Sequence, residues 1–157
     1  MKGMQGLMVG LVTSLKDPDG HGKVEISFPR LPGRNRAWAA VAVPMAGKGR
    51  GFHFQPEVND EVLVAFEDGA PEHPYIVGFL WNGVDVPPES DPQKRVIVTP
   101  GGHQLRFDDN PSSKSVQLRT SSGIEIGMDD IKQELSLSCA GFRIGISASG
   151  IVVSAGN

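Results

Sequence analysis

Residues 123–157 read GIEIGMDDIKQELSLSCAGFRIGISASGIVVSAGN. Within this stretch, apolar residues recur two positions apart, and in the first three pairs the residue between them is polar or small. The pairs are Ile124 with Ile126, Leu135 with Leu137, Ile144 with Ile146, and Ile151 with Val153. In a β-strand, every second side chain lies on the same face. The stretch therefore predicts short strands with one apolar face, joined by turns rich in Gly, Ser and Asp.

The same pattern extends upstream to residue 104. Two further segments carry Leu105 with Phe107 and Val116 with Leu118. Short alternating segments separated by turns predict a β-solenoid or β-prism over residues 104–157.

A single ribbon of this kind cannot cover its own apolar face. We therefore expect three copies to wind around a common axis, with the paired apolar side chains inside. Each strand edge is then expected to pair with a neighbouring chain. Arg143 is the last charged residue, so the uncharged terminal strand depends on such cover.

Five apolar segments in the first half of the chain predict a small barrel. They are residues 6–15, 23–28, 37–43, 60–66 and 74–80. Together with one long middle connection, five strands favour an OB-type Greek-key barrel over a sandwich, which usually has about seven strands. We assign residues 1–86 to this OB domain, 87–103 to a connector and 104–157 to the ribbon. The predicted fold class is all-β.

The composition narrows the functional classes. A net charge of −3 gives no bulk attraction for nucleic acid or for an anionic membrane. Cys139 is the only cysteine, and its alternation with Leu137 predicts a buried, small apolar side chain. No signal peptide or membrane-spanning helix is recognised, so synthesis in the cytoplasm is expected.

One local feature leaves an alternative function open. The region between Glu25 and Glu57 contains no acidic residue but five basic ones: Arg30, Arg34, Arg36, Lys48 and Arg50. On an OB barrel, such a patch suggests a nucleic-acid or saccharide-binding module with a β-rich oligomerisation tail. A solvated loop or a docking surface for a protein partner explains the patch better, because the aromatic residues lie in apolar runs typical of a core.

The sequence carries no recognisable catalytic, cofactor or metal-binding set. Asp17 and Asp19 lack the remaining ligands of a calcium loop. The acidic pairs at 108–109 and 129–130 lie at predicted turns, where Asp is favoured. GKGRG at 47–51 lacks the pattern of a phosphate-binding loop. We therefore expect a protein without enzymatic activity.

Three phrases resemble the spike proteins of contractile injection machines. They are VGLVTSLKDPDGHGKVEISFP at 9–29, AWAAVAVPMAGKGRGFHFQPEVNDEVLVAFEDGAPEHPYIVGFLWNG at 37–83, and GGHQLRFDD at 101–109. The family comprises phage baseplate assembly protein V and the corresponding part of VgrG of type VI secretion. The resemblance implies an OB domain followed by an intertwined trimeric β-helix. It implies a needle that pierces a target membrane when the sheath of a phage, tailocin or secretion-type particle contracts.

The resemblance also implies partners at both ends of the spike. A hub protein of the tail tube is expected to dock at Lys48, Arg50 and Phe52, because residues 45–56 form a long, glycine-rich and basic loop. A conical PAAR-repeat tip protein is expected to cap the blunt end. Its docking residues would be Ile151, Val152, Val153, Ser154, Ala155, Gly156 and Asn157.

Three departures from the family pattern refine these expectations. The barrel begins within ten residues of Met1, so the hub is expected to be a separate polypeptide. The short connector leaves no room for a hydrolase domain. No H-x-H motif of a metal-binding apex is present.

Overall fold

The computed structural model describes residues 6–31 and 36–155, and the chain divides into two units, Met1–Val86 and Pro87–Asn157. Both units consist of β-strands. Within the described residues, the one helical element is a 3-10 turn at Glu67–Gly69. None of the described residues forms a helix long and apolar enough to cross a lipid bilayer.

The N-terminal unit is built around a closed five-stranded barrel. The chain forms β1 (Met8–Ser14), β2 (Val24–Ser27) and β3 (Arg36–Val41), then a small hairpin of β4 (Ala46–Gly47) and β5 (Arg50–Gly51), then β6 (Glu61–Phe66) and β7 (Pro74–Phe79). The barrel closes in the order β1-β2-β3-β7-β6, and its β3–β7 pair is parallel. The predicted five-stranded, OB-like barrel is confirmed.

The barrel contains the hydrophobic core of this unit. Seven residues have no solvent exposure: Val12, Val24, Ile26, Ala39, Val62, Val64 and Ile76. They alternate with exposed or half-buried residues along their strands, as a strand period of two requires. Gly10 allows a close approach of β1 to β2, since a Cβ there would lie 3.3 Å from the carbonyl oxygen of Ser27.

The C-terminal unit is one antiparallel sheet of seven strands. They are β8 (Lys94–Val98), β9 (Gln104–Asp108), β10 (Ser115–Arg119), β11 (Glu125–Asp129), β12 (Glu134–Cys139), β13 (Phe142–Ser147) and β14 (Gly150–Ala155). Each strand pairs with its neighbours in sequence, so the sheet is a simple meander from β8 to β14.

Two expectations need correction. The strand β8 lies inside residues 87–103, for which the sequence predicts a connector. The interior strand edges also pair within the chain, whereas we expected them to pair with neighbouring chains. Short turns make this possible, because each returns the chain directly beside the strand it has just formed. Within the described residues of this seven-stranded sheet, only the outer edges of β8 and β14 lack an in-chain partner.

Candidate functional site: the apolar face of the C-terminal sheet

The strand register aligns the predicted apolar pairs into two rows across the sheet. The first row runs Ile97, Leu105, Leu118, Ile126, Leu137, Ile144 and Val153. The second row runs Phe107, Val116, Met128, Leu135, Ile146 and Ile151. Cross-strand neighbours directly opposite one another have Cβ atoms about 5 Å apart. We call these two rows together the apolar face.

The apolar face is uncovered within one chain. Ile126 is 41% exposed and Leu137 is 40% exposed, although both lie in the middle of the sheet. Exposure rises to 70% at Ile151 and Val153 on the terminal strand. Monomeric proteins rarely expose a continuous apolar patch of this kind, and larger patches mark interaction sites. The face is therefore the strongest candidate for an assembly interface.

The opposite face of the same sheet is polar and closely packed. Its central row contains Gln117, Gly127, Ser136 and Gly145. At Gly145 a Cβ would lie 2.7 Å from a carboxylate oxygen of Glu134, so a larger residue there would displace the end of that side chain. That carboxylate accepts a hydrogen bond of 2.8 Å from Arg143. A layer of small residues covered by paired charges suits a surface in contact with water.

The structure adds residues that the sequence analysis missed. Ile97 and Met128 belong to the rows, and Phe142 extends the face at 61% exposure. Met128 follows Ile126 at the strand spacing, so the period alone was sufficient to find it. Ile124 lies on the same side but just before β11 begins. Cys139, predicted to be buried, is exposed within the single chain.

The terminal strand β14 carries the residues expected to bind a tip protein. All of its residues are exposed, including Val152, Ser154 and Ala155. Val152 occupies the row of Gly145, so it lies on the face opposite Ile151 and Val153. Gly156 and Asn157 lie outside the described residues.

The β4–β5 hairpin presents the residues expected to bind a hub. Lys48 lies in the turn, and the Arg50 guanidinium packs against Gly47, where a Cβ would lie 3.0 Å from its central carbon. Phe52 is 50% exposed and stacks on Phe54, with 6.5 Å between ring centroids. Exposed aromatic and arginine side chains are typical of binding hot spots.

The acidic residues at positions 17 and 129 stabilise turns through hydrogen bonds to the backbone. The Asp17 carboxylate accepts hydrogen bonds from the backbone N–H groups of Lys23, Asp19 and His21, at 3.0, 3.1 and 2.7 Å. These donors, Lys23 first, hold the pKa of Asp17 below its ordinary value. The backbone N–H of Lys132 likewise lowers the pKa of Asp129. No group of three or more metal-ligating side chains converges within residues 6–31 and 36–155.

Comparison with known sequences gives a consistent result. Residues 8–81 match the family described as the type VI secretion system/phage-baseplate injector OB domain. Over 64% of its length, the chain is 32% identical to the actin cross-linking toxin VgrG1 of Vibrio cholerae serotype O1. It is 31% identical over 64% to the type VI secretion system spike protein VgrG3 of the same species. It is 26% identical over 67% to the spike protein VgrG2a of Pseudomonas aeruginosa.

The matched part of these relatives is small. It amounts to 10% of VgrG1, 11% of VgrG3 and 14% of VgrG2a. This chain therefore spans only about a tenth to a seventh of the length of these relatives.

Proposed function

The barrel at residues 8–81 belongs to the type VI secretion system/phage-baseplate injector OB-domain family, and on this premise we propose that the chain is the structural spike of a contractile injection particle. The single observation that carries the proposal is the uncovered apolar face of the C-terminal sheet. Three such faces turned towards one axis would cover one another and form a needle. The proposed role is mechanical and requires no catalytic residue.

The energetic case for a trimer rests on burial. Fully burying an exposed Leu or Ile side chain stabilises a protein by about 1.5–3 kcal/mol. The apolar face carries large side chains on all seven strands, and a single chain leaves most of them more than a third exposed. A homotrimer is therefore the expected unit, with the apolar face as its core.

The test is the mass of the purified chain by light scattering, combined with oligonucleotide binding at low and high salt. A stable trimer with no affinity for single-stranded DNA supports the spike. A folded monomer would exclude it. Salt-sensitive binding to single-stranded DNA would instead favour the OB module for nucleic acid.

We also propose that the β4–β5 hairpin docks on the hub protein of the tail tube. Its support is the exposed combination of Lys48, Arg50 and Phe52. Charge reversal of Lys48 and Arg50 should weaken capture of the hub in a pull-down. The same reversal at Lys16 and Lys23 is the matched control, and equal binding by both double variants would remove the hairpin from the interface.

For the C-terminal unit, we propose that β14 docks a PAAR-type tip protein. The support is an edge strand that has no charged residue and is exposed throughout. Backbone pairing and apolar contact would supply the affinity. Deleting residues 154–157 should abolish co-purification with the cap while the trimer persists. Undiminished binding, or binding lost steeply with salt, would place the cap elsewhere.

A further inference from the structure

The turns of the C-terminal sheet lie on two chemically different margins. In an antiparallel meander, successive turns alternate between the two sides of the sheet. One side, the charged margin, carries the turns at 109–114 and 130–133, with Asp109, Lys114, Asp130 and Lys132, and also the short uncharged turn at 148–149. The other side, the uncharged margin, carries the turns at 99–103, 120–124 and 140–141, none of which contains an acidic residue, lysine or arginine.

A notch opens on the charged margin between its two charged turns. Its volume is about 320 Å³. The floor consists of Phe107, Val116 and Met128 from the apolar face, and the rim includes Lys114 and Asp130. An apolar floor with a polar rim is typical of a recognition pocket.

The turn at 120–124 on the uncharged margin is a preformed projection. The N–H of Thr120 donates to the carbonyl of Ile124 at 2.9 Å, and the N–H of Gly123 donates back to the carbonyl of Thr120 at 3.0 Å. The Thr120 hydroxyl accepts from the N–H of Ile124 at 3.1 Å. Ile124 is nevertheless 46% exposed. A rigid turn with a free apolar side chain loses little entropy when it binds.

The strand spacing places this turn and the notch at the same height, measured across the sheet at right angles to the strands. Neighbouring strands are about 4.8 Å apart, so turns on one margin recur about every 9.6 Å. The turn at 120–124 joins β10 to β11, halfway between the levels of the turns at 109–114 and 130–133. In a parallel three-fold assembly the contact is head-to-tail, so the uncharged margin of one copy meets the charged margin of the next at equal height.

We infer that the turn Thr120–Ile124 of one copy inserts into the notch between the charged turns of its neighbour. Ile124 then covers Val116 and Met128 of that neighbour, and the serine hydroxyls of the turn meet the charged rim. The spacing repeats further along the sheet, since the turn at 140–141 falls between those at 130–133 and 148–149. This meshing of turns fixes the positions of the three chains relative to one another along their common axis. The inference rests on the proposed trimer.

Disulfide trapping tests the meshing in the full chain with Cys139→Ser as the background. Ser122→Cys combined with Asp130→Cys places thiols on the inserted turn and on the rim. A bond within one copy is excluded because the two positions lie at opposite ends of β11, roughly 17 Å apart at about 3.4 Å per residue. A disulfide requires Cα atoms no more than about 7 Å apart. Covalent dimers and trimers on a non-reducing gel are therefore expected.

The matched control is Ser122→Cys with Ser149→Cys. Ser149 lies on the same margin as Asp130, but its turn is about three strands further along the sheet than the turn at 120–124. We expect at least about ten-fold less cross-linking from it. Ser122→Cys with Lys114→Cys gives a second rim pair if Asp130→Cys does not fold. A trimer without cross-links from either rim pair, or with equal yield from the control, overturns the meshing alone. A monomeric Cys139→Ser protein overturns the trimer and the meshing together.

Discussion

Ile126 and Gly127 are adjacent in β11 but have opposite surroundings. Ile126 lies on the apolar face between Leu118 and Leu137 and is 41% exposed, whereas Gly127 is buried on the polar face under the Ser136 hydroxyl. The alternation that predicted Ile126 as an interface residue follows directly from the strand period. The same period explains why a change at one position reaches a different environment from a change at the next.

Ile126→Asp should abolish the trimer. Three carboxylates would then be buried near the axis without partners, which costs several kcal/mol per chain. Ile126→Val should retain the trimer and lose only about 0.5–1.5 kcal/mol. Gln117→Asp is the matched control, because it adds the same charge to the polar face. Light scattering separates the outcomes, and a stable trimer of Ile126→Asp would contradict the assignment of the core.

Asp17 allows a prediction about pH. Because its pKa is lowered in the folded barrel, its stabilising contribution is present above the ordinary carboxyl pKa of about 4 and is lost as the pH falls through the lower folded value. Asp17→Ala should therefore lower the melting temperature of the barrel at neutral pH, and the difference from the original chain should shrink below about pH 4. Asp19→Ala on the same turn is the control, and an equal loss in both variants would refute a specific role of Asp17.

At the level of elements, the strands with alternating apolar residues were predictable and β8 was not. Residues 94–98 read KRVIV, where three consecutive apolar residues conceal the period of two and the adjacent prolines suggested a connector. Its pairing with β9 depends on the turn at 99–103, which reverses the chain between the two strands. The apolar face of the C-terminal sheet was therefore predictable from sequence. The pairing of these strands within one chain was not predictable. Apolar residues alternate with a period of two whether a strand pairs with its own chain or with another chain.

The position of β8 predicts that Ile97 belongs to the interface. Ile97 pairs with Leu105 in the first apolar row and is 46% exposed. Ile97→Asp should weaken the trimer, since it adds a charge to the apolar face, whereas Val96→Asp on the other face should be tolerated. Sedimentation at decreasing concentration measures both. Equal behaviour of the two variants would mean that residues 87–103 act only as a connector.

The edges of the sheet differ as strongly as its faces. The outer strand β8 begins with Lys94 and Arg95, and such charges discourage further strand pairing. By contrast, β14 has no charge and no in-chain partner on its outer side. One end of the sheet is therefore protected against extension, and the other is suited to receive a partner.

At the scale of the whole molecule, the two units differ in where their stability originates. The barrel has its own core of fully buried Val and Ile side chains. In the described part of the C-terminal unit, only Gly127 and Ser136 are buried. A unit without a buried apolar core cannot offset the backbone entropy of its ordering, which is about 1–2 kcal/mol per residue.

The two units should therefore respond differently to dilution. A fragment of residues 1–86 should fold as a monomer whose melting temperature does not depend on concentration. Residues 87–157 should fold only as a trimer, because association supplies the burial that a single sheet lacks. Each ten-fold dilution then removes about 1.4 kcal/mol from each of the two association steps. Circular dichroism melts over a hundred-fold concentration range measure both fragments, and a C-terminal fragment that melts at the same temperature throughout would be stable as a monomer, which contradicts the trimeric needle.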